Sequence, residues 1–221
     1  MPKFQGIPEK HIRGIGACGV LHGVHYAMSV STPEACLEAK VIAQHLVEHY
    51  PEIRNYVDVG CCGGHLVLGL LDAGVSAFGI DALADAHECL GAPILLRDAT
   101  IPLDVTVKAD AVICWEMAEH VVETQADGLL ANLTQMSDTI FFSAGLPGYE
   151  AAHGHVNCQP AEYWQEKFEK LGYFQDARFD AWRASLRVRI EEHNKKAFNS
   201  DGTSYLWWSW SAQSFLYRKK R

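Results

Sequence analysis

Val57-Asp58-Val59-Gly60-Cys61-Cys62-Gly63-Gly64-His65-Leu66 is the stretch on which the fold turns. Tyr56-Val57-Asp58-Val59 reads as a short β-strand, and His65 to Ala73 as a helix. The glycines between them let the backbone turn sharply and let a ligand lie against the main chain. The first N–H groups of the following helix have no intrahelical acceptor, so they point into whatever occupies the crevice. Immediately downstream, Ala77-Phe78-Gly79-Ile80 reads as a second strand that ends at Asp81, where a carboxylate can accept hydrogen bonds from both hydroxyls of a ribose.

Further along, Ile94-Leu95-Leu96, Ala111-Val112-Ile113-Cys114-Trp115 and Thr139-Ile140-Phe141-Phe142 supply a third, fourth and fifth strand, each separated by helical stretches. Strands alternating with helices in this way predict βαβ units, a mostly parallel sheet and helices on both faces. Pro160 to Leu171 is predicted helical, after which Ala177-Arg178-Phe179-Asp180 and the aromatic run 205–217 are predicted to close the sheet as a terminal hairpin. Upstream, Thr32 and Pro33 suit the cap and first turn of a helix whose apolar residues recur at helical spacing to about Tyr50. The expected organisation is one domain, with 1–50 as an extension and helix packing over the sheet and 51–221 as the nucleotide-binding unit.

Composition narrows the function classes. The 221 residues are 48% hydrophobic and 21% charged, as in ordinary globular proteins, and no apolar run approaches a membrane span. Met1-Pro2-Lys3-Phe4-Gln5-Gly6 lacks the pattern of a secretory signal, so a cytoplasmic location and no membrane partner are expected. Seven cysteines without any C-x-x-C pair argue against a zinc ribbon. A net charge of -8 argues against general affinity for phosphate backbones, so nucleic acid is not the expected partner. The basic end Arg218-Lys219-Lys220-Arg221 reads as a solvated tail.

The spacing from Gly60 to Asp81 suits both a dinucleotide oxidoreductase and an adenosyl donor. Asp58 separates them. A carboxylate just before the first glycine suits the ammonium of a methionine moiety and repels a pyrophosphate. Asp98, after the third strand, can reach an adenine amino group. Asp58 to Gly64 resembles the first motif of class I S-adenosylmethionine-dependent methyltransferases, with Gly79-Ile80-Asp81 similar to their ribose motif. Asp98-Ala99 is similar to their adenine-contacting pair, and Glu116-Met117-Ala118-Glu119-His120 to the segment after their fourth strand. The resemblance implies a Rossmann-like α/β fold with a seven-stranded, mostly parallel sheet, an antiparallel last strand and helices on both faces. It implies S-adenosyl-L-methionine as cofactor, held by Asp58, Gly60, Cys61, Cys62, Gly64, Asp81, Asp98, Ala99 and Trp115. Cys62 departs from the family's usual glycine, which would narrow the approach to the methionine portion.

In open α/β sheets ligands lie beyond the carboxyl ends of the strands. Trp115, Glu116, Glu119 and His120 follow the fourth strand there, and the fifth leads to Ser143-Ala144-Gly145 and on to His155, Asn157, Gln159, Tyr163 and Trp164. In an extended chain, His155, Asn157 and Gln159 share one side, as a wall for an acceptor or as groups satisfying loop backbone. The run Phe142 to Gly148, His155-Val156-Asn157-x-Gln159 and Tyr163-Trp164, with Gln213, is similar to a bacterial and phage-associated subgroup of unassigned substrate. His155 is the first candidate for a base or acceptor-orienting group, then His120 and Glu116; Asn157, Gln159, Tyr163 and Trp164 are the candidate acceptor contacts. His153 and His155, without a carboxylate or thiolate partner, do not by themselves suggest a metal, and none is expected. The aromatic residues Tyr205, Trp207, Trp208, Trp210, Phe215 and Tyr217 read as core and rim packing before a stacking pocket. The acceptor expected is a small molecule or glycan. A catalytically silent nucleotide-binding module and an NAD-dependent oxidoreductase are the alternatives.

Overall fold

In the computed structural model, residues 33–82, 91–104, 106–148, 155–198 and 214–220 are described. Helix α1 (Pro33–His49) begins where Pro33 predicts it. Its Ala39, Ile42, Ala43 and Leu46 are buried against α2 (His65–Asp72). Gly69 of α2 sets that spacing, because a Cβ there would lie 2.9 Å from the Ala39 carbonyl oxygen.

The strands β1 (Asn55–Val59), β2 (Ser76–Asp81), β3 (Ile94–Leu96), β4 (Ala111–Cys114) and β5 (Thr139–Ser143) are buried almost throughout. That is what parallel strands covered on both faces require. With β6 (Tyr173–Gln175) and β7 (Ser214–Lys219) they form a seven-stranded sheet in the order β3-β2-β1-β4-β5-β7-β6. The first five strands pair in parallel, and β7 runs antiparallel to both β5 and β6. The expected fold class is the one observed.

Period-two alternation sends Tyr56, Ile113 and Phe141 to one core and Val57, Val112 and Phe142 to the other. The first core is filled from α1, α2 and α5 (Arg178–Phe198), the second from α3 (Ala126–Met136) and α4 (Ala161–Lys170).

The C-terminal part corrects the expectation of a hairpin. Residues 177–180 are not a strand: helix α5 starts at Arg178, and the sixth strand lies earlier, at Tyr173–Gln175. The Asp176 carboxylate accepts the Arg178 N–H at 3.1 Å and its carbonyl accepts that of Phe179 at 3.0 Å, which opens a helix rather than a ladder. Phe179, Trp182, Leu186 and Ile190 then recur at helical spacing and are all buried. β6 therefore reaches β7 only across a 21-residue helix. Of the aromatic run, Tyr205, Trp207, Trp208 and Trp210 lie outside the described residues. Tyr217 stacks on Phe168 with centroids 4.0 Å apart, in the core. Among the described residues, no helix is long and apolar enough to cross a membrane.

Candidate cofactor and acceptor site

The crevice begins where β1 ends. Gly60 and Gly64 have φ of 76° and 80°, and Cys62 has φ of 49° although it carries a side chain. This is the left-handed region that favours glycine, which accounts for the glycine that the family resemblance leads one to expect at Cys62. The Gly60 N–H donates to the Ile80 carbonyl at 2.8 Å and the Gly64 N–H to that of Cys61 at 2.9 Å. Space is as tight as the torsions: a Cβ on Gly60 would lie 2.3 Å from Met117 Cγ, and one on Gly79 would lie 2.2 Å from Cys61 Sγ. Cys61 is thus packed down onto β2 with its thiol buried and pushed well up in pKa, so only its main chain is offered to a ligand.

Asp81 stands at the end of β2, and its Oδ2 accepts the Cys62 N–H at 2.8 Å. The acid of the second strand and the loop of the first are therefore one structure. Asp58 is buried beneath it. Burial, and then the nearby Asp81, push its carboxyl up to about 7. A buried carboxyl in that state is prepared for a cationic partner, which would reverse the shift. On the next turn Asp98 is exposed, and its Oδ1 accepts the Thr100 N–H at 2.8 Å and hydroxyl at 2.6 Å. Ala99 is buried, and its carbonyl accepts from Asn132 Nδ2 at 2.8 Å. Trp115 is half-buried with its ring edge-on to Phe141.

Beyond β4 the chain turns through Glu116, a second non-glycine residue at positive φ, 51°. Ser143 at the end of β5 holds it there: the Glu116 N–H donates to Ser143 Oγ at 3.0 Å and the Ser143 hydroxyl donates to Glu116 Oε1 at 2.8 Å. Burial raises the pKa of Glu116, and repulsion from Glu119 raises it further. Glu119 is fully buried, and burial raises its carboxyl too. Its main-chain carbonyl accepts the N–H groups of Val156 and Asn157 at 2.8 and 3.0 Å, which draws the segment after β5 onto the turn after β4. Its carboxyl also meets the Glu116 carboxyl and the Gly145 backbone.

His155 arrives on that segment. Its Nε2 lies 4.0 Å from Glu119 Oε1, its Nδ1 lies 3.6 Å from Cys158 Sγ, and its ring meets that of His120 edge-on at 4.8 Å. Ligand atoms of Glu119, His120 and His155 all fall within 4.8 Å of one another, a set able to hold a metal ion. The expectation of no metal rested on His155 lacking a carboxylate or thiolate neighbour, and the fold provides both; His153 lies outside the described residues.

Asn157 is buried, and its Oδ1 accepts from Gln159 Nε2 at 3.0 Å, so these two side chains do meet on one side of the segment. Tyr163 is half-buried with Lys167 Nζ 4.9 Å from its ring centroid. Trp164 is a correction. It is fully buried, 5.2 Å from the Phe142 ring, on the core face of α4 one turn before Phe168, so it packs the core and has no surface to offer an acceptor. The sequence places Glu119, Ser143 and Cys158 after the fourth and fifth strands without assigning any of them a role. Glu119 alone left a usable signal, since it stands one turn after Glu116 and beside His120 past a parallel strand.

Strand order, the glycine turn after β1 and the acid ending β2 together define the class I S-adenosylmethionine-dependent methyltransferase fold. Similar solved structures are methyltransferases. A methyltransferase of this kind from Archaeoglobus fulgidus superposes with a TM-score of 0.58 at 15% identity, covering 89% of this chain and 100% of that one. A sugar N-methyltransferase from Streptoalloteichus gives 0.59 at 13% identity, covering 94% and 99%. The plantazolicin methyltransferase BpumL, solved with a pentazolic desmethylPZN analogue and SAH, gives 0.60 at 11% identity and covers 89% of each chain. Among curated sequences, the ubiquinone biosynthesis O-methyltransferase of Rickettsia typhi is 28% identical over 145 residues, which is 61% of this chain and 54% of that protein. The chain thus spans about half the length of the curated relative it matches. No family model matches it.

Proposed function

We propose that this chain is an S-adenosylmethionine-dependent methyltransferase acting in the cytoplasm on a small-molecule or glycan acceptor. The observation that carries the reading is the joined pair at the crevice: Asp81 bonded to the Cys62 N–H, above a buried Asp58 with no cation beside it among the described residues to keep it ionised. Asp58 suits the ammonium of a methionine moiety, Asp81 the ribose hydroxyls, and Asp98 with Ala99 the adenine edge. The main chain of Gly60, Cys61, Cys62 and Gly64 lines the floor, with Trp115 at its side.

The bound cofactor supplies a sulfonium-activated methyl group, so the protein's own task is chiefly to align a nucleophile with it. His155, close to the Glu119 carboxylate, is placed to take a proton from an acceptor hydroxyl or ammonium. His120 meets it edge-on, and Ser143 fixes Glu116 behind them. Asn157, Gln159 and Tyr163 are the acceptor contacts, with Trp164 withdrawn. The relatives support the acceptor class by name, since they include an O-methyltransferase and a sugar N-methyltransferase.

Calorimetric titration with S-adenosylhomocysteine and, separately, with NAD(H) tests the cofactor. Stoichiometric binding of the first and none of the second is expected. Preference for NAD(H) would overturn the proposal in favour of an oxidoreductase.

A further inference from the structure

We propose that Glu119, His120 and His155 form a binding site for a zinc-class divalent cation, which holds the hydroxyl of the methyl acceptor beside the cofactor crevice. This rests on the methyltransferase reading above and deepens it by assigning an oxygen acceptor.

The first observation is the donor set. Two imidazoles and a carboxylate come from two chain segments, the turn after β4 and the loop after β5, and their ligand atoms lie within 4.8 Å of one another. The second is Glu119 itself. A fully buried carboxyl with a second carboxyl, that of Glu116, against it is costly to keep ionised. It is the state expected of a ligand whose natural partner is a cation. The third is how the set is held together. The Glu119 carbonyl binds the amides of Val156 and Asn157, the two residues after His155, so carboxylate and imidazole are fixed relative to each other. Gly145 makes room for them: a Cβ there would come within 3.3 Å of both Glu119 Cγ and His155 Nδ1.

The chemistry selects the ion. Nitrogen-rich sets suit zinc and its neighbours, whereas magnesium and calcium prefer oxygen throughout. Around a four-coordinate zinc ion with bonds of ~2.0–2.1 Å, ligand atoms sit roughly 3.4 Å apart. The 4.0 Å between His155 Nε2 and Glu119 Oε1 closes to that by small side-chain rotations. Cys158 Sγ, 3.6 Å from His155 Nδ1, engages the far side of the ring and leaves Nε2 for the metal.

Three protein ligands leave a fourth position for an acceptor hydroxyl. There its O–H bond breaks at neutral pH, with the proton passing to water and the electron pair staying on oxygen. That oxygen forms the new O–C bond as the methyl–sulfur bond breaks, its electron pair remaining on sulfur to give the neutral thioether. With the ion bound, His155 is a ligand, and acidification by the metal replaces proton removal by a base.

The full chain, stripped with chelator, is titrated with zinc chloride by calorimetry and then loaded with cobalt(II) for visible spectroscopy. One zinc per chain and an intense four-coordinate cobalt spectrum are expected. His155→Ala and Glu119→Gln should each lower zinc affinity at least tenfold, while S-adenosylhomocysteine binding stays within twofold of wild type. A His49→Ala control on α1 should leave zinc affinity unchanged. No stoichiometric zinc, a six-coordinate cobalt spectrum, or zinc affinity unchanged from wild type in both ligand variants would overturn the site. The wild-type cobalt spectrum decides the matter if either variant fails to fold. If the wild-type chain binds S-adenosylhomocysteine but no zinc, this proposal alone fails; if it binds zinc but not S-adenosylhomocysteine, the cofactor reading fails and takes with it the acceptor role given to the ion.

Discussion

The turn after β1 and the turn after β4 lie at the same carboxyl end of the sheet, yet they are built from different materials. The first is made of backbone. Its positive φ values at Gly60, Cys62 and Gly64, its amide to Asp81, and the absence of Cβ atoms at Gly60 and Gly79 all concern the main chain. The second is made of side chains. Glu116, Glu119 and His120 from one segment meet Ser143, His155 and Cys158 from others, and only Glu116 is strained. A backbone-built site holds whatever fits its shape and is intolerant of added atoms. A side-chain-built site can be changed one group at a time, as enzymes that share a cofactor and differ in acceptor require.

If that contrast is right, the largest penalty should come from one methyl group on the backbone side. Gly60→Ala forces a side chain into the left-handed region, at roughly 1–2 kcal/mol. It also drives a Cβ to 2.6 Å from Met117 Cβ, which cannot swing away as a chain end could; overpacking adds ~1–3 kcal/mol. A stability loss of about 2–5 kcal/mol is expected from urea unfolding. A loss under about 1 kcal/mol would show that the turn is softer than its torsions imply.

Asp58→Asn sharpens the comparison in the opposite direction. The Asp58 carboxyl titrates near 7 when folded and near 3.8 as a free side chain. Stability linked to it is therefore complete below about pH 4 and is lost as pH rises through 7, since the unfolded chain releases that proton first. The variant should be more stable than wild type by about 2–4 kcal/mol at pH 8 and no more stable at pH 4. It should also bind S-adenosylhomocysteine more weakly. A residue that costs stability and supplies affinity is placed for a ligand. The same titration predicts that wild-type affinity for S-adenosylhomocysteine falls about tenfold between pH 8 and pH 6, because the ammonium must displace the Asp58 proton.

Asp81→Ala removes the carboxylate that accepts the Cys62 N–H and that we propose holds the ribose. Calorimetry should show S-adenosylhomocysteine binding weakened by at least ~1.5 kcal/mol, and unchanged affinity would remove Asp81 from the site. On the side-chain half, Ser143→Ala takes away both hydrogen bonds that hold Glu116 at positive φ. A loss of about 1–2 kcal/mol in urea unfolding is expected, with S-adenosylhomocysteine affinity unaltered. If cofactor affinity fell as well, the two halves would be one site rather than two.

The contrast also explains what the chain lets a reader see in advance. Backbone needs leave marks in order along the sequence. Glycines at 60, 63 and 64 between an apolar strand and a helix, and acids at 58 and 81, mark in advance the turn that we propose holds the cofactor. Side-chain convergence leaves no such mark: nothing near His155 indicates that Glu119 will lie beside it, because their meeting depends on two amides binding one carbonyl across strands. Trp164 was misplaced for a related reason, since its neighbour Tyr163 does reach the half-buried surface and sequence adjacency does not reveal which of two aromatic rings faces the core. The helix at Arg178 was hidden because Ala177-Arg178-Phe179-Asp180 alternates over too few residues to tell strand from helix; only the wider span Phe179, Trp182, Leu186, Ile190 does so.

The smallest expected effect tests the one place where side chain and backbone compete. Cys62 occupies a left-handed turn position, and Cys62→Gly would relieve roughly 1 kcal/mol of backbone strain. The same change enlarges the unfolded ensemble at a cost of about 0.4–1 kcal/mol. The two terms nearly cancel, so the unfolding free energy from urea titration should shift by no more than about 0.5 kcal/mol. Affinity has no such compensation: removing the side chain widens the floor of the crevice without touching the N–H that Asp81 accepts, and S-adenosylhomocysteine should bind a few-fold tighter. Weaker binding would mean that the thiol contacts the ligand, and the turn would then count, at this one residue, among the parts of the site made from side chains.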